Sequence, residues 1–596
     1  MTAETRRSEP RPRLEVTAAG FGAVLAILSI FGLLACLCLR YTIDVPVQDQ
    51  WSLVEDLGKY QEGSWTLADV ARSHNGHRIA LPRLIWVPLA FVTHWRQRPE
   101  IALNLLAGLG IFALLLRGCV KDGRELLGER GALLAVAFAI LSFSFAQWEN
   151  WQWGIQLQMF LGVLLVLLAL QLLCRGSESA LGLAAAALAG FLASFTQSAG
   201  LAVWPAGFVA ILVANAGSAR LRRAALWGVA TLLTAALYLV PLPGDSGSGA
   251  VPGFLLEHPF QAARFLLSVL GRPASTFAGS PSPPEPTLVA PLLGLGLLVF
   301  LAHWARLHLA DALSARDQRV AFWLASATFS VSVAALITLG RSFLGPSAAL
   351  ASRYTTLMLP LWGAAIYLAS LRGFPQLGTT PLVRDRALLV IMLLCLLASS
   401  LREVPQLADR YYVMQPARDA LMRGGPPDLL ARLHPEVQQV TKGMGRLQQL
   451  ELSVFRPSRG RRDVASGEVL RSFAQEIQVR TTLPEKIAPG GVLGLLVNVR
   501  NTGAEEWPSP RRSVHPVNLS YRWFDAASGA AVVVDGKRAE LGDPLGAGQA
   551  SDLQILVEAP DTAGRYLLRL SMVQEDVAWF MDRGAPGWEA ALDVAP

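Results

Sequence analysis

The chain is expected to fold as an α-helical multispanning membrane domain of about eleven helices followed by an all-β sandwich outside the membrane. Three observations predict this. The 596 residues are 52% hydrophobic and only 16% charged, against about a quarter charged in a soluble domain. Before residue 402 the apolar residues fall into blocks of about 15 to 22, the length that crosses a bilayer. From about residue 470 the pattern changes to period-two alternation with Gly, Pro and Asp at the turns, as strands require.

Residues 1–17 are polar and basic, and 18–39 form an apolar run too long for a signal-peptide core, hence an uncleaved first span. Further spans are expected near 99–117, 131–147, 157–174, 180–196, 200–216, 224–241, 287–303, 320–339, 356–371 and 387–401. One alternating set of connections carries the N-terminal arginines, then Arg117, Lys121, Arg124 and Arg130, then Arg175, then Arg220, Arg222 and Arg223. It continues with Arg306, Arg316 and Arg319, then Arg372, Arg384 and Arg386. The positive-inside rule puts this set in the cytoplasm. The N-terminus is then inside, and the loops 41–98, 148–156, 242–286 and 340–355 and the tail from 402 are outside, at the plasma membrane. Counting 79–95 as a span would reverse every later loop. It is expected to lie in the outer interface instead, with Trp86 and Trp95 at headgroup level. The segment 259–270 is apolar but too short to span.

The net charge of +7 is explained by these topogenic arginines. No basic patch is interleaved with aromatics, which excludes a nucleic-acid binder. All five cysteines lie in or beside apolar blocks, with no CxxC and no Cys/His spacing. A disulfide framework and a structural zinc site are both excluded. No cofactor is indicated, and a divalent cation is left open.

Chemistry is expected in the first outer loop, within 44–78, DVPVQDQWSLVEDLGKYQEGSWTLADVARSHNGHR. Trp51, Leu53, Val54 and Leu57 sit at helical spacing. Thr66 and Asp69 form a capping box for a second short helix. His74-Asn75-Gly76-His77-Arg78 is a turn. Glu55, Asp56, Lys59 and Asp69 fit solvated helix faces. Asp49, close after the first span, is the leading candidate for a general base, and Asp44 is the second. His74, His77 and Arg78 could hold an anionic leaving group.

Two further outer loops carry polar groups. QWENWQWGIQ contributes Glu149 among tryptophans that suit an aromatic belt or a sugar-stacking surface. RSFLGPSAALASRYTT contains Arg341 and Arg353, and arginine in an outer loop runs against the positive-inside rule. Two guanidiniums at a membrane edge can grip a phosphate bidentately, and Tyr354 lies beside them. The polar, Gly-containing connection 194–204 would let a lipid phosphate or a sugar approach the backbone.

DQW followed by HNGHRIALPRL resembles a group of bacterial multispanning proteins in which an HN-x-HRI-x-x-P-R-L stretch recurs. The likeness rests on Asp49, Trp51, His74, Asn75, His77, Arg78, Pro82 and Arg83, and Ser352-Arg353-Tyr354 is a second match. An acidic motif after the first span, two juxtamembrane helices and a Pro-bearing interfacial helix are similar to the GT-C superfamily of integral membrane glycosyltransferases. The resemblance implies a polyprenyl-phosphate-linked sugar donor, an acidic residue as base and an envelope glycan, lipid or protein as acceptor. Asp49 is flanked by Gln48 and Gln50 and so is not itself part of the adjacent acidic pair of metal-dependent members.

From 402 to 469 a helical linker is expected, flexible at 460–463. Residues 470–596 then read as about seven strands, including GVLGLLVNVRNTG, VNLSYRWFD, LQILVEAP and GRYLLRLSMVQEDVAWF. Strand number and spacing suggest an immunoglobulin-like sandwich without a disulfide, with Trp507, Trp523 and Trp579 in its core. The alternative to a glycosyltransferase is a transporter or flippase of lipid-linked glycans. That class usually shows mid-membrane charges and internal repeats, and few of the former and none of the latter are evident.

Overall fold

The computed structural model describes residues 18–120, 128–175, 179–241, 252–278, 287–371, 382–423, 427–456, 469–509, 513 and 515–595. The basic segment 1–17, Lys121, Arg124, Arg372 and the linker 460–463 lie outside the described residues, as do the side chains of Arg384 and Arg386. The chain divides into two compact units, Met1–Arg456 and Pro457–Pro596.

The first unit is a multi-pass helical membrane domain. Among the described residues seven helices are long and apolar enough to cross a bilayer: Ala18–Arg40, Gln97–Cys119, Glu129–Gln152, Gly154–Arg175, Val289–Ala315, Gln318–Leu344 and Leu389–Met422. Helix covers the other predicted stretches too, but Ala180–Ser194, Val203–Ala214 and Thr355–Ser370 have only 15, 12 and 16 residues. Thr355–Ser370 is buried along nearly its whole length, so protein and not lipid surrounds it. Gly217–Tyr238 opens with Arg220, Arg222 and Arg223, which lower its apolar character.

Ala80–Thr93 has 14 residues, about 21 Å of helix, short of the hydrocarbon thickness. Trp86 and Trp95, expected at headgroup level, are instead sealed in the protein core. The Trp95 indole N–H donates to Glu100 Oε1 at 2.9 Å, which supplies the partner that a buried indole needs. Pro259–Gly271 is a short amphipathic helix held against Val289–Ala315. Gly271 and Gly294 permit that approach, because a Cβ on either would run into the neighbouring helix's backbone carbonyl.

Residues 402–456, read as linker from the sequence, belong to the first unit. Leu407, Ala417, Leu421, Val440 and Leu447 join its hydrophobic core. Gly443 lies against the Trp51 ring, where a Cβ would come within 2.9 Å of Cε3.

The second unit is β-rich. Val517–Asp525, Gly564–Gln574 and Trp588–Val594 pair antiparallel at the centre of one sheet. Gln475–Val479, Val492–Asn501 and Ala550–Glu558 form a second, three-stranded sheet. Val497, Val499, Ile555 and Val557 from the smaller sheet share one core with Tyr521, Trp523, Leu568 and Leu570 from the larger. Trp507 and Trp523 are fully buried and Trp579 nearly so.

Candidate functional site

A cavity of about 910 Å³ in the first unit is lined by seven of the candidate residues: Asp49, His74, His77, Glu149, Arg341, Arg353 and Tyr354. It draws on the first loop, the 148–159 segment, the 197–201 turn, the end of helix Gln318–Arg341, the start of helix Thr355–Ser370 and helix Pro405–Arg423.

Local structure explains how the loop delivers its groups. Gln48 is in the left-handed region (φ 51°) and its N–H donates to Leu433 O at 2.6 Å. A 3-10 turn, Gln48–Ser52, follows and presents Asp49. The buried Gln50 clamps this turn from below: Oε1 accepts the Val47 N–H at 3.2 Å, and Nε2 donates to Gln97 Oε1 at 2.7 Å and Glu100 Oε2 at 2.9 Å. The Trp153 indole N–H also donates to Val47 O at 3.1 Å. These bonds join the turn to helix Gln97–Cys119 and to the tryptophan loop, so Asp49 is carried on a fixed backbone.

The histidines arrive on a two-residue hairpin. Asn75 and Gly76 both have positive φ, 50° and 76°, as a type I′ turn demands. His74 and His77 are directly paired across it, as are Ser73 and Arg78. Paired residues share a face and neighbours alternate. Both histidines therefore reach the cavity and Arg78 points away from it. Arg78 is buried: Nε donates to Tyr238 O at 2.6 Å, Nη1 to Ala71 O at 2.8 Å and Nη2 to Val240 O. It fastens the hairpin to the helix ending at Tyr238 and does not line the cavity. Asp44 does not line it either. Its carboxylate accepts the Gln97 N–H at 2.9 Å and pairs with Arg456 at 2.6 Å.

The tryptophan loop and the Ser352–Tyr354 turn are zipped together. Asn150 Nδ2 donates to Arg353 O at 3.0 Å and Thr356 Oγ1 at 2.6 Å, and Ser352 Oγ donates to Ala146 O at 3.1 Å. The Arg353 N–H donates to Glu149 Oε2 at 3.0 Å. Glu149 is thereby held at the cavity wall, and the Arg353 guanidinium lies 5.7 Å from the Tyr354 ring centroid.

The Asp49 side chain is 40% exposed and its Oδ2 is 3.7 Å from His74 Nε2. Burial favours its neutral form, but His74, then Arg353 and Asn75, outweigh burial and lower its pKa below the ordinary carboxylate value. Asp49 is therefore ionised at neutral pH. His77 is pushed down to about 4, by burial first, then by Arg341 and His74, against the pull of Asp49. It is neutral at pH 7, and its Nδ1 is 2.8 Å from Ser198 Oγ.

Trp153 and Gln156, from the tryptophan loop singled out in the sequence, also line the cavity, and so do Arg410, Gln158, Gln197 and Ser198, none of which was named as a candidate. Gln197 and Ser198 fall in the polar connection singled out as a place of approach. Arg410 carried no signal, since QLADRYYVMQ reads as an ordinary helix surface. Apart from Gln48 and Asn75 the remaining wall is largely apolar, with Val333, Leu336, Ile337, Phe343, Leu344, Leu357 and Met414. Leu336, Phe343 and Leu344 are exposed. Asp49 and Glu149 are the carboxylates on the lining. Among the described residues no group of three or more His, Cys, Asp or Glu gathers, and no residue is assigned to a cation. The arrangement can hold an anion among guanidiniums, offer an ionised carboxylate to a hydroxyl and accommodate an apolar tail along helix ends.

No protein-family model matches the chain, and no curated protein matches it. Among solved structures it is similar to ArnT from Cupriavidus metallidurans bound to undecaprenyl phosphate, at 14% identity and a TM-score of 0.37, over 74% of this chain and 79% of that one. It also aligns with Pseudomonas fluorescens alkylpurine DNA glycosylase AlkC bound to DNA containing an abasic site analog, at 14% identity and a TM-score of 0.15, over 56% of this chain and 99% of that one. Neither likeness is close enough to carry an argument about fold or chemistry.

Proposed function

We propose that the chain is a membrane glycosyltransferase that moves a sugar from a polyprenyl-phosphate donor to a cell-envelope acceptor on the outer face of the membrane. The observation that carries this reading is the composition of one cavity. An ionised, reachable Asp49 shares it with Arg341, Arg353 and Arg410, and exposed apolar side chains line its wall. A lipid phosphate needs both kinds of surface at once: guanidiniums for the phosphate and apolar helix ends for the isoprenoid.

In this reading Asp49 takes the proton of the acceptor hydroxyl as its oxygen bonds to the anomeric carbon. The bond from that carbon to the phosphate oxygen breaks, and the lipid phosphate leaves with the electron pair. Arg341 and Arg353 stabilise the charge that develops on it. Neutral His77 and Ser198 border the phosphate without adding charge, and His74 holds the Asp49 carboxylate in place. The topology that goes with this has the N-terminus in the cytoplasm and the cavity and tail outside. The C-terminal unit is then an immunoglobulin-like module that binds or positions envelope material.

The test is mass analysis of envelope glycans from a deletion strain. Wild type should restore the profile and Asp49→Asn should not, at equal membrane levels. Restoration by both Asp49→Asn and Arg353→Ala would overturn the reading. A topology reporter fused at residue 402 should report outside, and a cytoplasmic signal there would overturn the assignment of the face.

A further inference from the structure

Among the described residues three guanidiniums line the cavity. One lipid phosphate accounts for Arg341 and Arg353, which come from the consecutive helices Gln318–Arg341 and Thr355–Ser370 and their connection. Arg410 comes from a different element, helix Pro405–Arg423. Its Cζ lies 5.8 Å from the ring centroid of Trp153. No hydrogen bond or ion pair to a described residue occupies it. Other arginines of the same region are engaged: Arg446 with Glu62, Arg456 with Asp44, and Arg432 with Val413 O. Glu149 on the same lining acts on it only from beyond ion-pair distance, and a guanidinium drawn partly out of water without a paired anion is unfavourable, so the position calls for a partner that arrives with a ligand.

A second, independent observation lies on the lining of the same cavity. Gln156 and Gln158 also line the cavity, their side chains are 2% and 8% exposed, and their Oε1 atoms have no hydrogen-bond partner. Buried amides are nearly always paired. Two unmet amide oxygens that share a cavity lining with an indole suit the hydroxyls of a sugar, with the aromatic face to stack on its ring. Trp153 itself is fixed, since its indole N–H is spent on Val47 O and its carbonyl accepts from Asn104 Nδ2 at 3.1 Å.

The geometry points to a saccharide subsite formed by Arg410, Trp153, Gln156 and Gln158, selective for a sugar that carries a carboxylate or a phosphate. Gln156 and Gln158 take its hydroxyls and Arg410 takes its anionic group, bidentately for either anion. The inference rests on the glycosyltransferase reading for its place in a reaction, but its binding chemistry can be tested apart from transfer.

The full chain in detergent is titrated with glucuronic acid, glucose 6-phosphate and glucose, read by tryptophan fluorescence. Farnesyl phosphate binding is measured on the same samples. Wild type should bind one or both acidic sugars about tenfold more tightly than glucose, the worth of one charge-assisted hydrogen bond. Which acidic sugar is preferred separates the carboxylate from the phosphate. Arg410→Gln should erase the preference while glucose still binds, Arg410→Lys should keep part of it, and Gln156→Ala with Gln158→Ala should weaken all three sugars. Equal binding of acidic and neutral sugars by wild type, no sugar binding at all, or a preference that survives Arg410→Gln would each overturn the subsite. Failure of farnesyl phosphate to bind while acidic sugars do would overturn the lipid-donor reading and leave the subsite standing.

Discussion

Under the helices of the first loop, Asp56 is sealed from solvent, with Arg83 at 3.4 Å and Arg72 at 3.7 Å. The Arg83 guanidinium is spent further on the backbone carbonyls of Val70 at 3.2 Å and of Arg72. Seven residues before Asp56, Asp49 faces a cavity with a histidine at 3.7 Å and no arginine in ion-pair contact among the described residues. Arg341, Arg353 and Arg410 line the same cavity without a described carboxylate as ion-pair partner. Both regions are rich in charge. In the first, each charge is answered from within the chain and the arrangement holds the loop together. In the second, the charges are left for something that binds. Burial alone does not separate the two sets; the presence of an internal partner does.

Breaking the paired set should cost the most. Arg83→Ala leaves the Asp56 carboxylate buried with only the more distant Arg72, and the expected loss is about 3–5 kcal/mol of stability. A fall in the thermal midpoint in detergent, with reduced membrane levels, would show it. An unchanged midpoint would mean that Asp56 is not charged in the folded state. Asp49→Asn should do the opposite. Stability should fall by no more than about 1 kcal/mol, as for a partly exposed carboxylate whose one ion-pair contact among the described residues is His74 at 3.7 Å. Transfer should drop about 10²- to 10⁴-fold in kcat/KM, the usual worth of a general base. A destabilised Asp49→Asn with residual transfer near wild type would place Asp49 among the structural charges.

Only one side of this division was legible in the sequence: Asp56, expected on a solvated helix face, is instead sealed against Arg83 and Arg72, and the differences have physical causes. The helical stretches were readable because an apolar run of membrane length satisfies its own backbone only by coiling into a helix. Their burial was not, so Trp86 and Trp95, which suit an interface by residue type, are core instead. Asp49, His74, His77, Arg341 and Arg353 stood out as polar groups where topology predicted few. The one-residue difference between His77 and Arg78 depends on hairpin pairing, which no composition argument resolves. Arg410 was invisible because its neighbours are an ordinary helix surface, and only the packing of 402–456 into the first unit brings it to the cavity.

The histidines sharpen the comparison through pH. With His77 held at about 4 in the fold and near 6.5 when unfolded, the unfolded chain binds the extra proton first as pH falls. Stability should be intact above about pH 6.5 and decline as pH drops towards 4. The full linkage is at most about 3 kcal/mol, less because the ring is partly exposed. His77→Gln should flatten that part of the stability–pH curve, and an unaltered slope would assign it to other groups.

Asp44 provides the smallest effect and the closest contrast, because it stands five positions before Asp49 and was the second candidate for the same role. Its Oδ2 pairs with Arg456 at 2.6 Å, with side chains 25% and 24% exposed. Its Oδ1 accepts the Gln97 N–H. An asparagine at this position would keep an acceptor for that N–H and lose only the ion pair, which in such partial exposure is worth about 0.2–1 kcal/mol. Asp44→Asn should therefore lower stability by no more than about 1 kcal/mol and leave kcat/KM within about twofold of wild type, because no charge on the cavity wall changes. The loss should shrink in high salt, as a partly solvated pair requires. If Asp44→Asn instead abolished transfer while Asp49→Asn did not, the base would belong to the paired set, and the absence of an internal partner would fail as the mark of a functional charge in this loop.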